Sequence, residues 1–313
     1  MFMKQRYAPL ALALGVTLAL TLAAGTRLVS ADESASPPAA AAAPAPAPVL
    51  KPEQQALADR MQAFEDRMEA DFFARVQDFN GKSTLEDKVF DYDTATHTVK
   101  VARGKVIEKA GWYINVQKKG MPPMVPDPLF SRYMEMNVHP ATPHVGMLHA
   151  TVYFTYLKNG AGLLAGYMDY VPGVWHEDDN QRLKAAVEKV FVKYGEDISR
   201  FRTELCDSDF GKKHHRDALR AACVGVSLYA RPMMKVDDRN LSLVMDAFEA
   251  FTGEYFAILD ERRRQRATEA DFAEQAGMRK RWLEDQVFAD TMSRKVVPYE
   301  VWSMANLPPV VRF

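Results

Sequence analysis

Cysteine is nearly missing from this chain: among 313 residues only Cys206 and Cys223 carry a thiol. Their spacing makes no zinc knuckle. In an oxidising compartment the two could pair, but each falls in a helical pattern, and the sequence leaves the pairing open. Charge of one sign is missing too. The chain has 40 basic and 41 acidic side chains, a formal net charge of -1. No basic surplus points to nucleic acid, and there is no acidic tail. A local basic groove for an anionic ligand stays compatible with that balance. No internal repeat is found, so solenoids and propellers are excluded.

A long membrane span is lacking as well. The uncharged apolar run Ala8–Ala24 is short for crossing a bilayer. Lys4 and Arg6 precede it, small residues Val29-Ser30-Ala31 follow it, and Asp32-Glu33 come next. This reads as an export signal over residues 1–31, with cleavage after Ala31 favoured over retention as a membrane anchor, and predicts a periplasmic or secreted protein. The membrane is met only through that segment. No lipidation cysteine follows it. Residues 32–50 are mostly Ala, Pro and Ser, a semi-extended tether that buries no core.

The chain as a whole is ordinary for a soluble globular protein, 48% apolar and 26% charged. Residues 51–313 are long enough for a single large domain. Leu57, Met61, Phe64, Met68 and Phe72 recur at helical spacing after Pro52, and Asn80-Gly81 breaks that helix. Short strands follow at Lys88–Tyr92, Thr98–Arg103, Trp112–Gln117 and Met134–Val138. Gly160–Gly166 reads as a flexible turn, and Tyr167–Val171 as a further strand. Helices are expected over Asp178–Tyr194, Glu196–Leu205, His214–Cys223, Leu241–Arg264 and Ala270–Arg281. Trp282–Asp290 is expected to be extended. The early connections are too short for crossovers, so the fold class is α/β or α+β with a mainly antiparallel sheet.

Val138–Phe154 is the stretch richest in chemistry. His139, His144 and His149 stand five residues apart, with Pro140 and Pro143 between the first and the last. Alternation places Met147, His149, Thr151 and Tyr153 on one face of a strand. A strand is a rigid platform for an acid or base, although a lone strand histidine is more often a packed or surface residue.

Several short runs resemble one family in collinear order. Lys105–Gly111 is similar to "V-F-E-K-A-G". His139-Pro140, Pro143 and His149 resemble "H-P-x-x-P-x-x-P-x-x-H". Gly166, Asp169 and Pro172 resemble "G-G-x-D-L-T-P", and Glu177-Asp178-Asp179 resembles "E-E-D". Tyr194–Asp197, Cys206-Asp207, His215-Arg216 and Glu261–Arg264 follow in order. Arg281–Glu284 with Asp290 resembles "R-Y-V-E-F-N-L-V-x-D-R-G", and the ending Leu307–Arg312 resembles "M-P-P-L-V-R". Over residues 100–313 the chain resembles the oxygen-dependent coproporphyrinogen III oxidases of haem biosynthesis.

The resemblance implies a large, flat antiparallel sheet with helices on both faces, assembled as a homodimer. It implies a tetrapyrrole-like substrate and oxidative decarboxylation of its propionates to vinyl groups. Molecular oxygen is the co-substrate, with neither metal nor organic cofactor. His149, Asp169 and Asp290 match the family's catalytic positions: Asp169 to hydrogen-bond the pyrrole N–H groups, His149 to donate a proton. His139 is expected to contact substrate. So is Arg281, beside the site and paired with Glu284. His139 and His215 match positions described in the family as metal ligands, but their spacing fits no zinc pattern.

Departures from the family pattern are specific. Its substrate arginines are Tyr153 and Thr291 here, its "G-G-R" loop is replaced around Val297-Pro298-Tyr299, and its substrate serine is Glu135. An added carboxylate there is expected to repel a propionate. Arg182 and Lys184, which stand where the family has a histidine pair, are candidates to restore the lost charge. These losses and the export signal raise an alternative: a periplasmic protein that binds a tetrapyrrole or haem without turning it over.

Overall fold

Six strands in a row, joined by connections too short to cross over, can only pair as neighbours. The computed structural model bears this out; it describes residues 49–120, 126–289 and 297–311. The expected signal segment, most of the tether, Asp290 and Thr291 lie outside the described residues. The strands are β1 (Thr84–Asp91), β2 (Ala95–Arg103), β3 (Ile107–Gln117), β4 (Pro128–Pro140), β5 (Met147–Leu157), β6 (Gly162–Val171), β7 (Val226–Ser227) and β8 (Met234–Lys235). They form one antiparallel sheet in the order β1 to β7, with β8 also on β6. The helices are α1 (Pro52–Asn80), α2 (Glu177–Lys193), α3 (Ser199–Arg202), α4 (Asp209–Gly211), α5 (Asp238–Arg262), α6 (Glu269–Glu284) and α7 (Tyr299–Asn306). No helix among the described residues is long and apolar enough to cross a membrane.

The two faces of the sheet are chemically different. One carries Trp112, Met136, Leu148, Val152 and Phe154, all buried in the main core with α1, α2 and α5. α1 fits there because Met61, Phe64, Met68, Phe72 and Val76 fall on a single stripe. Gly81 ends the helix at φ 69°. The opposite face carries Asn115, Glu135, Asn137, His139, Thr151 and Asp169, and these are buried as well. Three smaller apolar clusters cover it, one of them Leu205 and Cys206 on Tyr167. α7 packs Val301 and Ala305 on Val99, Val101 and Tyr113. α6, with the segment that ends at Leu219, packs Met278, Trp282 and Leu219 on Met147 and Val171. Gly111 makes the α7 contact possible: a Cβ there would stand 2.7 Å from the Ala305 carbonyl oxygen.

Several local expectations are corrected. Gly162–Gly166 is strand, not a flexible turn. Gly166 is needed because a Cβ would lie 2.3 Å from the Thr151 carbonyl oxygen across the ladder. Glu196–Leu205 is α-helical only over Ser199–Arg202 and widens into a π turn over Thr203–Asp207. A second π segment, Lys212–Leu219, ends at Arg220 with φ 54°. Cys223 is therefore outside any helix, at φ 58°. Trp282–Ala289 is helical rather than extended: α6 runs to Glu284 and continues as a π turn. Its Trp282 and Asp285 both turn inward, three apart as one helical face requires.

Release of Cys223 from a helix brings it to Cys206, and the two form a disulfide with Cα atoms 5.9 Å apart. It closes a loop of separation 17, for which the chain-entropy account gives about 3 kcal/mol. Replacing both cysteines by serine is expected to lower unfolding free energy by about 2–3 kcal/mol in urea denaturation. An unchanged midpoint would show that the bond is dispensable.

Candidate functional site on the polar sheet face

Register decides which side chains meet on the polar face. His149 on β5 stands opposite Asn137 on β4 and opposite Asp169 on β6. Glu135 and Tyr167 flank it one pleat along the same strands, both opposite Thr151. The sequence motifs that carry His149 and Asp169 thus converge on one place. His139 lies further along β4, opposite Lys109 on β3.

Glu135 is the hub. It is buried, accepts from Tyr133 Oη at 2.7 Å and from Asn137 Nδ2 at 2.5 Å, and faces His149 Nε2 at 3.6 Å. Burial alone would raise its carboxyl, but hydrogen bonds from His149, Tyr133 and Asn137 outweigh that and hold it below the usual range. Sequence reading treated Glu135 only as a charge that repels substrate. Its geometry is that of an orienting partner for His149. Asn137 also donates to Asn306 Oδ1 at 2.6 Å, and Trp282 Nε1 donates to the Asn306 carbonyl at 3.0 Å. The end of α7 and α6 are thereby tied to the same point.

His149 remains partly open, its side chain 14% exposed. Trp282 and Tyr167 wall it, each ring centroid 5.0 Å away. Tyr167 stacks in turn on His215 at 4.8 Å, and His214 stands 3.5 Å from Asp285. Burial, with Asp169 and Asp285 nearby, pushes the Tyr167 phenol well above its ordinary value, so it stays a donor. The Tyr167 hydroxyl and the Asn137 Oδ1 are buried without a hydrogen-bond partner. Such orphans beside a partly open histidine leave hydrogen-bonding capacity for a ligand or an ordered water. Asn137, Tyr167 and Asp285 were not singled out from sequence; alternation from His139 and from Asp169 along their own strands would have found the first two.

Asp169 is sealed from solvent. Oδ1 accepts from the backbone N–H groups of Val224 and Gly225 at 3.1 and 3.4 Å, and Oδ2 from Cys223 at 3.3 Å. It holds the loop that the disulfide also holds. Burial pushes its carboxyl up to about 6, against those backbone bonds. A folded state that holds this proton more tightly than the unfolded one loses stability as pH rises from 3.8 to about 6, then levels off. That decline amounts to roughly 3 kcal/mol. The stability difference between wild type and Asp169→Asn is expected to change by that much across this window. A pH-independent difference in denaturation at pH 4 and pH 7 would contradict it.

The remaining expected residues sit apart. His139 is fully enclosed. Burial, with Lys109 and Arg279 beside it, keeps its ring well below the usual histidine range, hence neutral. Lys109 donates to the Leu307 carbonyl at 2.6 Å and is the one cation that strands β3–β6 place on this face. Arg281 does not pair with Glu284; its Nε donates to the Leu219 carbonyl at 3.3 Å, and Lys280 is the residue near Glu284. Arg182 does not serve the site either. It is bound to Glu254 and Glu261 between α2 and α5, behind the apolar face. Asp290 lies outside the described residues. The three groups Asp169, Cys206 and Cys223 lie close together, but the disulfide removes the thiolates a metal would need.

A search of curated proteins finds no match. The family model for coproporphyrinogen III oxidase matches residues 60–295, three quarters of the chain and every strand of the sheet. With the meander sheet and its polar face in the same span, the chain belongs to the coproporphyrinogen III oxidase family.

Proposed function

We propose that this protein is an oxygen-dependent oxidase of the coproporphyrinogen type, exported and acting on a tetrapyrrole with propionate side chains. The observation that carries this reading is His149: partly open, oriented by Glu135, and flanked by the unpaired Asn137 Oδ1 and Tyr167 hydroxyl. A histidine backed by a carboxylate can pass protons either way near neutrality. In this reading His149 moves the protons, and Tyr167 and Asn137 hydrogen-bond the macrocycle. Trp282 excludes water from one side. Asp169 acts through the loop it anchors, and Asp290 is the second acid. Molecular oxygen accepts the electrons as carbon dioxide leaves, and no metal or organic cofactor takes part. The Cys206–Cys223 disulfide supports an oxidising compartment, in keeping with a cleaved signal. The unit is a homodimer in this proposal.

One observation favours a second reading. Strands β3–β6 bring no arginine to the polar face, and Lys109 is engaged by backbone carbonyls. Four propionates would ordinarily be met by guanidinium forks. A receptor that holds a tetrapyrrole without turning it over fits that lack. Aerobic incubation of the mature protein with coproporphyrinogen III, read as protoporphyrin fluorescence, separates the two. Turnover above the protein-free control supports the oxidase. Tight binding without product supports the receptor, and neither would sink both.

A further inference from the structure

His144 and His176 belong to no part of the site above. His144 lies in the turn between β4 and β5, with its side chain largely buried. His176 is the residue that caps the start of α2, and its side chain makes no capping bond. Their rings approach each other at a centroid distance of 5.4 Å. His144 Nδ1 and His176 Nε2 are 3.4 Å apart.

The far nitrogen of His144 fixes its tautomer. Nε2 lies 3.2 Å from the Arg266 carbonyl oxygen, which can only accept, so Nε2 carries the proton. Nδ1 therefore presents a lone pair toward His176. A ring that donates one N–H to a backbone carbonyl and keeps its other nitrogen as a lone-pair donor is in the state of a metal-ligating histidine. The spacing agrees. With zinc–nitrogen bonds of about 2.0–2.1 Å, two ligands at a tetrahedral angle stand about 3.3–3.4 Å apart.

The charges around the pair are balanced. Arg262 is held by Asp179 in a two-pronged ion pair. Asp271 lies within electrostatic reach of both rings, and its bonds to Thr268 all fall on Oδ2. Burial, then Arg262, keeps His176 below its ordinary value.

We propose that His144 Nδ1 and His176 Nε2 form a two-histidine site for a late first-row divalent cation such as Zn2+, completed by solvent. Imidazole pairs select such ions over Mg2+ or Ca2+. The ion would tie the turn before β5 to the start of α2, and through Arg266 to the connection between α5 and α6.

Calorimetric titration of the whole protein with zinc chloride tests this, with thermal unfolding as the second readout. One equivalent of Zn2+ should bind and raise the unfolding temperature, because the two ligands meet only in the folded chain. His176→Ala, a change at a partly exposed position, should weaken binding by at least about tenfold and abolish the thermal shift. His144→Gln should do the same, and His149→Ala should leave binding unchanged. Zinc binding that survives His176→Ala, or no binding at millimolar zinc, would overturn the site and leave the pair as a ring–ring hydrogen bond.

Discussion

Glu135→Ala is expected to destabilise the protein by about 3–5 kcal/mol at neutral pH, the range for breaking a buried charged partnership from one side. The reason is what the carboxylate leaves behind. Tyr133 Oη, Asn137 Nδ2 and His149 Nε2 all converge on it, and the buried Asn137 has no water to replace it. Glu135→Gln, which keeps the shape and one acceptor oxygen, should cost less, about 1–3 kcal/mol. The pH dependence has a definite sign. The Glu135 carboxyl is held below its ordinary value, so its contribution is fully present above the unfolded carboxyl's range. It is lost as pH falls through the lower folded value. The gap between wild type and Glu135→Ala should therefore narrow in acid. Chemical denaturation at pH 7 and pH 3 reads both effects, and a gap that widens in acid would contradict the orienting role.

His149→Ala is expected to lower turnover by about 100- to 10,000-fold, the span general acid–base groups contribute. Stability should change little by comparison, because the ring is partly open and makes no hydrogen bond shorter than its 3.6 Å approach to Glu135. That split between rate and stability separates the proton-carrying role from a packing role against Trp282 and Tyr167. A variant that loses stability and keeps its rate would assign His149 to the core.

The sheet was legible because its strands are neighbours in sequence and alternate cleanly. α1 was legible to its last residue, since Met61 to Val76 repeat at one spacing and Asn80-Gly81 marks the stop. The region from Glu196 to Gly225 was not. Its helices are short and wind into π turns, and the period-3.6 pattern over His214–Cys223 gives no sign that Arg220 and Cys223 adopt left-handed backbone. The disulfide was hidden for the same reason. Trp282–Ala289 read as extended because its apolar residues suit either period over so short a span.

The site was half legible. His149 and Asp169 were visible as motif residues, and the ladder does pair them. Their environments were not visible. Whether a carboxylate repels substrate, as expected of Glu135, or orients a histidine depends on partners two residues and one strand away. Asp169 took its bonds from a loop more than fifty residues on, a contact no local pattern encodes. Arg182 had the right charge for a propionate but stands on the wrong side of the sheet.

The most direct test of the polar face as the tetrapyrrole site is to watch the histidines while coproporphyrin III binds. In proton–carbon NMR of the histidine rings, with signals assigned by single replacements, the His149 resonance should shift or broaden in step with binding. Those of His144 and His176 should stay in place. Saturable binding that perturbs His144 or His176 and leaves His149 untouched would place the ligand elsewhere and contradict the account.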